Sequence, residues 1–181
     1  MVRIALAAVI FTLLSISAQA QGLARIGKDE AREILSGYNY VPGAEYWGKM
    51  DPDSSRAVLL ELSADTKELV HVRTRATLAL ANFPNAQVER HLLQTLTTED
   101  RGYIRAAAVT AYSRVAGQAA TPALERVLAD KDQFVKHAAI KSLGEVGGAQ
   151  SAGVLEKGLA NEKDPVARSL MENSLNRINK R

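Results

Sequence analysis

Three histidines, His71, His91 and His137, are the first residues to weigh for chemistry in a chain of 181 residues without cysteine. They form no His-x-x-x-His or His-Glu pair, whereas a metal site needs several ligands converging in suitable geometry. Zero cysteine also excludes a thiolate zinc site, an iron–sulfur cluster, a disulfide framework and a catalytic thiol. No Gly-x-Ser-x-Gly elbow, Gly-rich phosphate loop or GKS/GKT tripeptide is present. The sequence therefore predicts no enzyme, no catalytic residue, no metal and no cofactor.

Two other groupings have the spacing of a design. Arg73, Arg105, Lys136 and Arg168 recur at intervals of 32, 31 and 32 residues. One base per unit reads either as an anion-binding stripe or as a structural inter-repeat ladder, each base bonding an acid or a helix-end carbonyl of its neighbour. Acids recur alongside, and a buried charge needs such partners, so the ladder is expected. The second grouping is aromatic: Tyr38, Tyr40, Tyr46 and Trp47 crowd into ten residues. Such side chains concentrate binding energy, which makes them candidate partner-binding residues. They also suit the covering of an open apolar end, and both readings stand.

The elements that carry the bases are helices. Aligned on Val72, Ile104, Val135 and Ala167, each base is followed three positions on by Ala76, Ala108, Ala139 or Met171. Small residues come next (Ala79, Ala111, Ser142, Ser174), each trailed by a large one (Leu80, Tyr112, Leu143, Leu175). This spacing traces one helical face. Twelve positions beyond Leu80, Tyr112 and Leu143 stand Leu92, Leu124 and Leu155, with Leu96, Leu128 and Leu159 four later, predicting a second helix per unit. Turn residues separate the helices: Asn82-Phe83-Pro84-Asn85, Ala116-Gly117, and Gly144 with Gly147-Gly148. Glu68, Asp100, Asp132 and Asp164 are expected to cap or favour the first-helix N-termini. One hairpin cannot bury its own apolar face, so the hairpins stack, the first helices approaching through their small residues.

On the second helices, which are expected to line the concave face, the polar positions are Glu89, Arg90 and Gln94, then Glu125 and Arg126, then Glu156 and Lys157. Their mixed signs suit a solvated face, and they are the remaining candidate partner-binding positions.

The chain starts with Arg3, an apolar run from Ile4 to Ile16 and the small-residue motif Ala18-Gln19-Ala20. This reads as a secretory signal peptide spanning 1–20, cleaved after Ala20. The apolar run falls short of the ~20 residues that span a bilayer, so membrane contact is expected only through this segment if uncleaved. The expected location is periplasmic or secreted. The net charge of +3 gives no electrostatic basis for nucleic-acid binding.

The pattern Asp-Pro-x-(Val/Ala)-Arg-x-x-Ala-x-x-Ala-Leu, followed by Gly-x-(Val/Ile)-Gly, is clearest over 132–147 and 164–175 and recognisable from Val72 and from Ile104. It resembles the short HEAT-like repeat of the phycobilisome-lyase type. Lys136, Met171 and the lack of a second helix after Ile178 depart from it. The resemblance implies an all-α, α-α superhelix of about four hairpins that binds other macromolecules. The division is a signal peptide (1–20), an N-terminal cap segment (21–56), the HEAT-like repeats (57–179) and a basic tail (180–181). Within the cap a helix is expected over Lys28–Ser36; from Arg56 to Leu62 comes the second helix of a degenerate unit, capped by Ser54 or Ser55. The function expected is a non-enzymatic exported scaffold binding a protein partner in the bacterial envelope, as an adaptor or assembly factor. The alternative implied by the resemblance is an enzyme or tetrapyrrole-handling protein related to HEAT-repeat lyases.

Overall fold

The computed structural model describes residues 22–37 and 41–181, so the expected signal peptide (1–20), Tyr38 and Tyr40 lie outside the described residues. The described residues form α1 (Lys28–Ser36), a single turn α2 (Ala44–Trp47), α3 (Pro52–Ala64), α4 (Val70–Ala79), α5 (Ala86–Thr98), α6 (Gly102–Ala116), α7 (Thr121–Val127), α8 (Gln133–Val146), α9 (Gly148–Asn161) and α10 (Pro165–Asn179). Among them no strand occurs, and an isolated bridge joins Ala24 to Met50. The fold is an all-α HEAT-like solenoid.

Two layers result. α1, α4, α6, α8 and α10 succeed one another in the first layer, each packed directly on the next. α3, α5, α7 and α9 form the second, each lying mainly against the first helix that follows it, while touching one another sparsely. The first layer closes tightly because its contact positions are small. Ala76, Ala108, Ala139 and Ala167 are fully buried, with Val72, Ile104 and Val135 between them. A Cβ on Gly144 would come within 2.7 Å of Ser174 Cβ, so α8 and α10 approach through a bare backbone. Gly144 thus lies inside α8 and is not part of the turn predicted there; the turn needs only Gly147 and Gly148, whose φ values of +72° and +80° suit glycine.

The second-layer leucines Leu92, Leu124 and Leu155 are fully buried, and Leu96 nearly so. At about 25 cal/mol per Å² of apolar surface, such side chains supply the main driving force, roughly 1.5–3 kcal/mol each.

The caps differ from expectation at three places. Asp132 and Asp164 do accept first-turn N–H groups, from Phe134 and from Val166 and Ala167. Glu68 and Asp100 do not cap helices: the N-cap positions of α4 and α6 are Leu69 and Arg101, without side-chain bonds. α3 begins at Pro52 and is capped by Asp51 rather than by Ser54 or Ser55. An acid followed by proline serves the first turn better, because the ring fills a site needing no donor.

Candidate functional site

The regular bases form a structural ladder. Arg73 Nη2 donates to Glu99 at 2.6 Å and its Nε to the Ser63 carbonyl at 3.1 Å. Arg105 grips both oxygens of Asp130, at 3.0 and 2.9 Å, and its Nη1 donates to the Glu99 and Asp100 carbonyls. Lys136 reaches Glu162 at 3.2 Å. Each rung starts on a first helix and ends on the acid that closes the following second helix. The arginines also bond the carbonyls left open at the end of the preceding second helix. One base therefore joins two hairpins, with the Arg73 and Arg105 side chains only 5% and 9% exposed.

The acids are doubly held. Glu99, Asp130 and Glu162 also accept the N–H two residues ahead, from Arg101, Asp132 and Asp164. Burial alone would raise Glu99, but the Arg101 N–H and the Arg73 guanidinium outweigh it and hold the carboxyl below its usual range. Burial also opposes the Asp130 charge, and Arg105 with the Asp132 N–H overcomes it. For Glu162 the Asp164 N–H leads, acting against burial together with Lys136.

The stack has a rung at its start that periodicity missed. Arg32 on α1 donates to Glu68 at 2.6 Å, and the Glu68 side chain is 7% exposed. Buried Ala31, Arg32 and buried Leu35 repeat the order of Val72, Arg73 and Ala76, so α1 is a first helix and α3 its partner. The signal was present, but Arg32 stands 41 residues before Arg73, because α2 and its flanking loops lengthen that unit. At the far end Arg168 donates only to the Leu159 and Glu162 carbonyls, and no carboxylate pairs with it among the described residues.

The last first helix also changes character. Thr77, Val109 and Ile140 occupy one register on α4, α6 and α8, all buried, and Glu172 stands there on α10, exposed. Four positions on, buried Ser113 and Gly144 give way to exposed Asn176. A polar outer face of this kind closes a solenoid. Along the seam of α8 and α10 runs a groove of about 770 Å³ lined by Lys141, Glu145, Leu170, Arg177, Lys180 and Arg181. Arg181 Nη1 donates to the Glu145 carbonyl at 2.7 Å, so the basic tail tethers the end of α8.

Of the aromatic candidates, Trp47 is 1% exposed, edge-on to Tyr46 at 5.1 Å and to Phe83 at 5.9 Å between ring centroids. Its indole is part of the core beside the first complete hairpin, and Tyr46 is half-buried above it. On the second layer Arg90, Gln94, Glu125, Arg126, Glu156 and Lys157 are exposed, with Glu89 half-buried. They do not converge on one point, although Lys157 approaches Glu125 to 3.6 Å across a cleft of about 310 Å³ between α7 and α9. His91 Nε2 lies 2.8 Å from Ser63 Oγ, tying α5 to α3. Burial and then the Arg73 charge hold its imidazole below the usual range. Among the described residues no group of three or more His, Asp or Glu side chains is arranged to hold a metal ion.

No curated protein matches the chain. Residues 89–176, from α5 through most of α10, match the family of HEAT repeats. The matched stretch is built of HEAT repeats, and the same stacking and rung geometry continues back from it to α1.

Proposed function

We propose that this chain is a non-enzymatic scaffold that binds a protein partner, exported to the bacterial envelope, where it acts as an adaptor or assembly factor. The observation that carries the reading is the division of labour between the layers. The first layer spends its regular residues on packing and on the ladder. The second leaves a row of charged and polar side chains at Arg90, Gln94, Glu125, Arg126, Glu156 and Lys157 turned to solvent across three successive units. Stacked repeats of this kind offer an extended surface suited to another macromolecule. Export rests on the Arg3 to Ala20 pattern.

Two measurements test it. Chemical cross-linking in cells of the source organism, followed by gentle affinity capture, is expected to enrich one protein reproducibly, and a capture indistinguishable from a tag-only control refutes the partner reading. Intact mass of the protein recovered from the envelope fraction is expected to place the mature N-terminus at Gln21; recovery of the full-length chain from the cytosol refutes export.

A further inference from the structure

Buried polar groups in a folded protein nearly always have hydrogen-bond partners. Four buried side-chain atoms lack one among the described residues, and two of these, Trp47 Nε1 and Arg56 Nε, belong to residues that border one cavity. It has a volume of about 470 Å³ and lies between α2, the start of α3 and the connection from α4 to α5. That is room enough for a small molecule. Its walls are mainly apolar, with Leu23, Met50, Phe83 and Pro84 among them. Leu23 is brought there by the bridge from Ala24 to Met50 and by the Asp51 N–H, which donates to the Ala24 carbonyl at 2.8 Å. Among the described residues no aspartate or glutamate lines the cavity, and Arg56 is its one charged side chain.

The unused edge of Arg56 identifies the group that fits. On the ladder Arg105 grips the two oxygens of Asp130 through Nε and Nη2, at 3.0 and 2.9 Å. Arg56 has the same fork, but its bond is made by the other nitrogen: Nη1 donates to Asp53 at 2.7 Å. Asp53 is 86% exposed, so water screens that pair. The Asp51 carboxylate is engaged by the Ser54 N–H that it caps. The Nε and Nη2 edge of Arg56 therefore has no carboxylate, although it is the edge with which this protein holds one elsewhere. Trp47 adds a second donor, and the other polar side chain of the wall, Asn82, is spent on the Ala79 carbonyl.

We propose that this cavity binds a small carboxylate with an apolar tail. The carboxylate is received by the Nε and Nη2 edge of Arg56, with the Trp47 indole N–H as a further donor. The tail lies against Leu23, Met50, Phe83 and Pro84 and gains by leaving water. A free aliphatic acid and the last residue of a protein chain both carry this chemistry. The site lies apart from the second-layer row and goes beyond the scaffold reading.

The test titrates octanoate into the purified chain by calorimetry and follows the emission of Trp47, the single tryptophan. Saturable binding at one site is expected, with the emission changing at the same midpoint. Octanol keeps the tail without the charge, and acetate keeps the carboxylate without the tail. Each is expected to bind at least tenfold more weakly. Arg56→Met and Arg56→Lys should each weaken octanoate at least tenfold, the lysine because an ammonium lacks the planar fork. Arg126→Ala leaves binding unchanged. Removing a donor that has no acceptor costs little, so Arg56→Met is expected to melt within about 2 °C of the parent. A clearly lower melting temperature means that Arg56 already has its partner, and overturns the proposal. So does a lack of saturation at about 1 mM octanoate, equal binding of octanol, or insensitivity to both Arg56 variants. A peptide ending in leucine separates the sources. If it binds more tightly than octanoate and loses this on amidation, the ligand is a protein's last residue; if octanoate is tighter, it is a free acid. If octanoate fails while cross-linking still captures a partner, the scaffold reading survives and this inference does not.

Discussion

The two layers of the solenoid use the same repeat differently. In the first, nearly every regular position is committed: small residues at the helix contacts, aliphatic residues between them, and a base reaching the acid beyond the next helix. In the second, a narrow leucine stripe holds each helix down, and the opposite face carries charges of both signs. The lesson is that regularity in sequence marks where the molecule holds itself together. The freedom to vary lies in the second layer.

Substitutions can break or sharpen this contrast. Leu143→Ala, in a fully buried first-layer position, is expected to cost about 2–5 kcal/mol in urea unfolding. Arg105→Met should follow at about 2–3 kcal/mol, because it removes a two-pronged, nearly buried partner and strands Asp130. Gly144→Ala is expected to cost about 1–2 kcal/mol by forcing α8 away from Ser174; a neutral outcome would mean that the first layer is slack. Arg126→Ala, on the exposed second-layer face, should change stability by less than about 0.5 kcal/mol. If it cost as much as Arg105→Met, the contrast between layers would collapse.

Acid offers a further measurement of the ladder. Glu99, Asp130 and Glu162 have carboxyl groups held below their unfolded range. Their contribution is complete above about pH 5 and is lost as the carboxylates protonate below about pH 4.5. The melting temperature is therefore expected to fall from there downward, with a smaller slope in Arg73→Met and Arg105→Met variants that have already lost the pairs. His91 adds a separate step. Its depressed imidazole means the unfolded chain takes up the proton first, so stability declines as pH drops through about 6.5, and His91→Gln should remove that decline.

Much of this architecture was readable from residue spacing. Period and leucine placement located α4 to α10, and α1 falls on the predicted Lys28–Ser36. Other features were not readable, for physical reasons. Hydrophobic periodicity reports which side of a helix is buried; it does not report which of several nearby acids a long guanidinium will reach. Glu99 and Asp130 were therefore hidden behind Asp100 and Asp132, one and two residues away. The Arg32–Glu68 rung escaped because the first unit is longer than the others. Gly144 looked like turn material, and only the packed structure shows it as the contact through which two helices touch. The exposed residues Tyr103, Phe134 and Val166 escaped for the opposite reason: they keep the period but face away from the core, so a search for buried faces passes over them.

Glu172 and Asn176 have one more consequence. A second molecule butting its first helix against α10 would have to take a carboxylate out of water and set it against carbon, at a cost of several kcal/mol with no base supplied in return. End-to-end growth, which turns self-complementary repeat modules into fibres, is therefore disfavoured at this terminus. Glu172→Ile with Asn176→Gly would restore the face worn by α8, and light scattering at rising concentration should then report the onset of linear polymers.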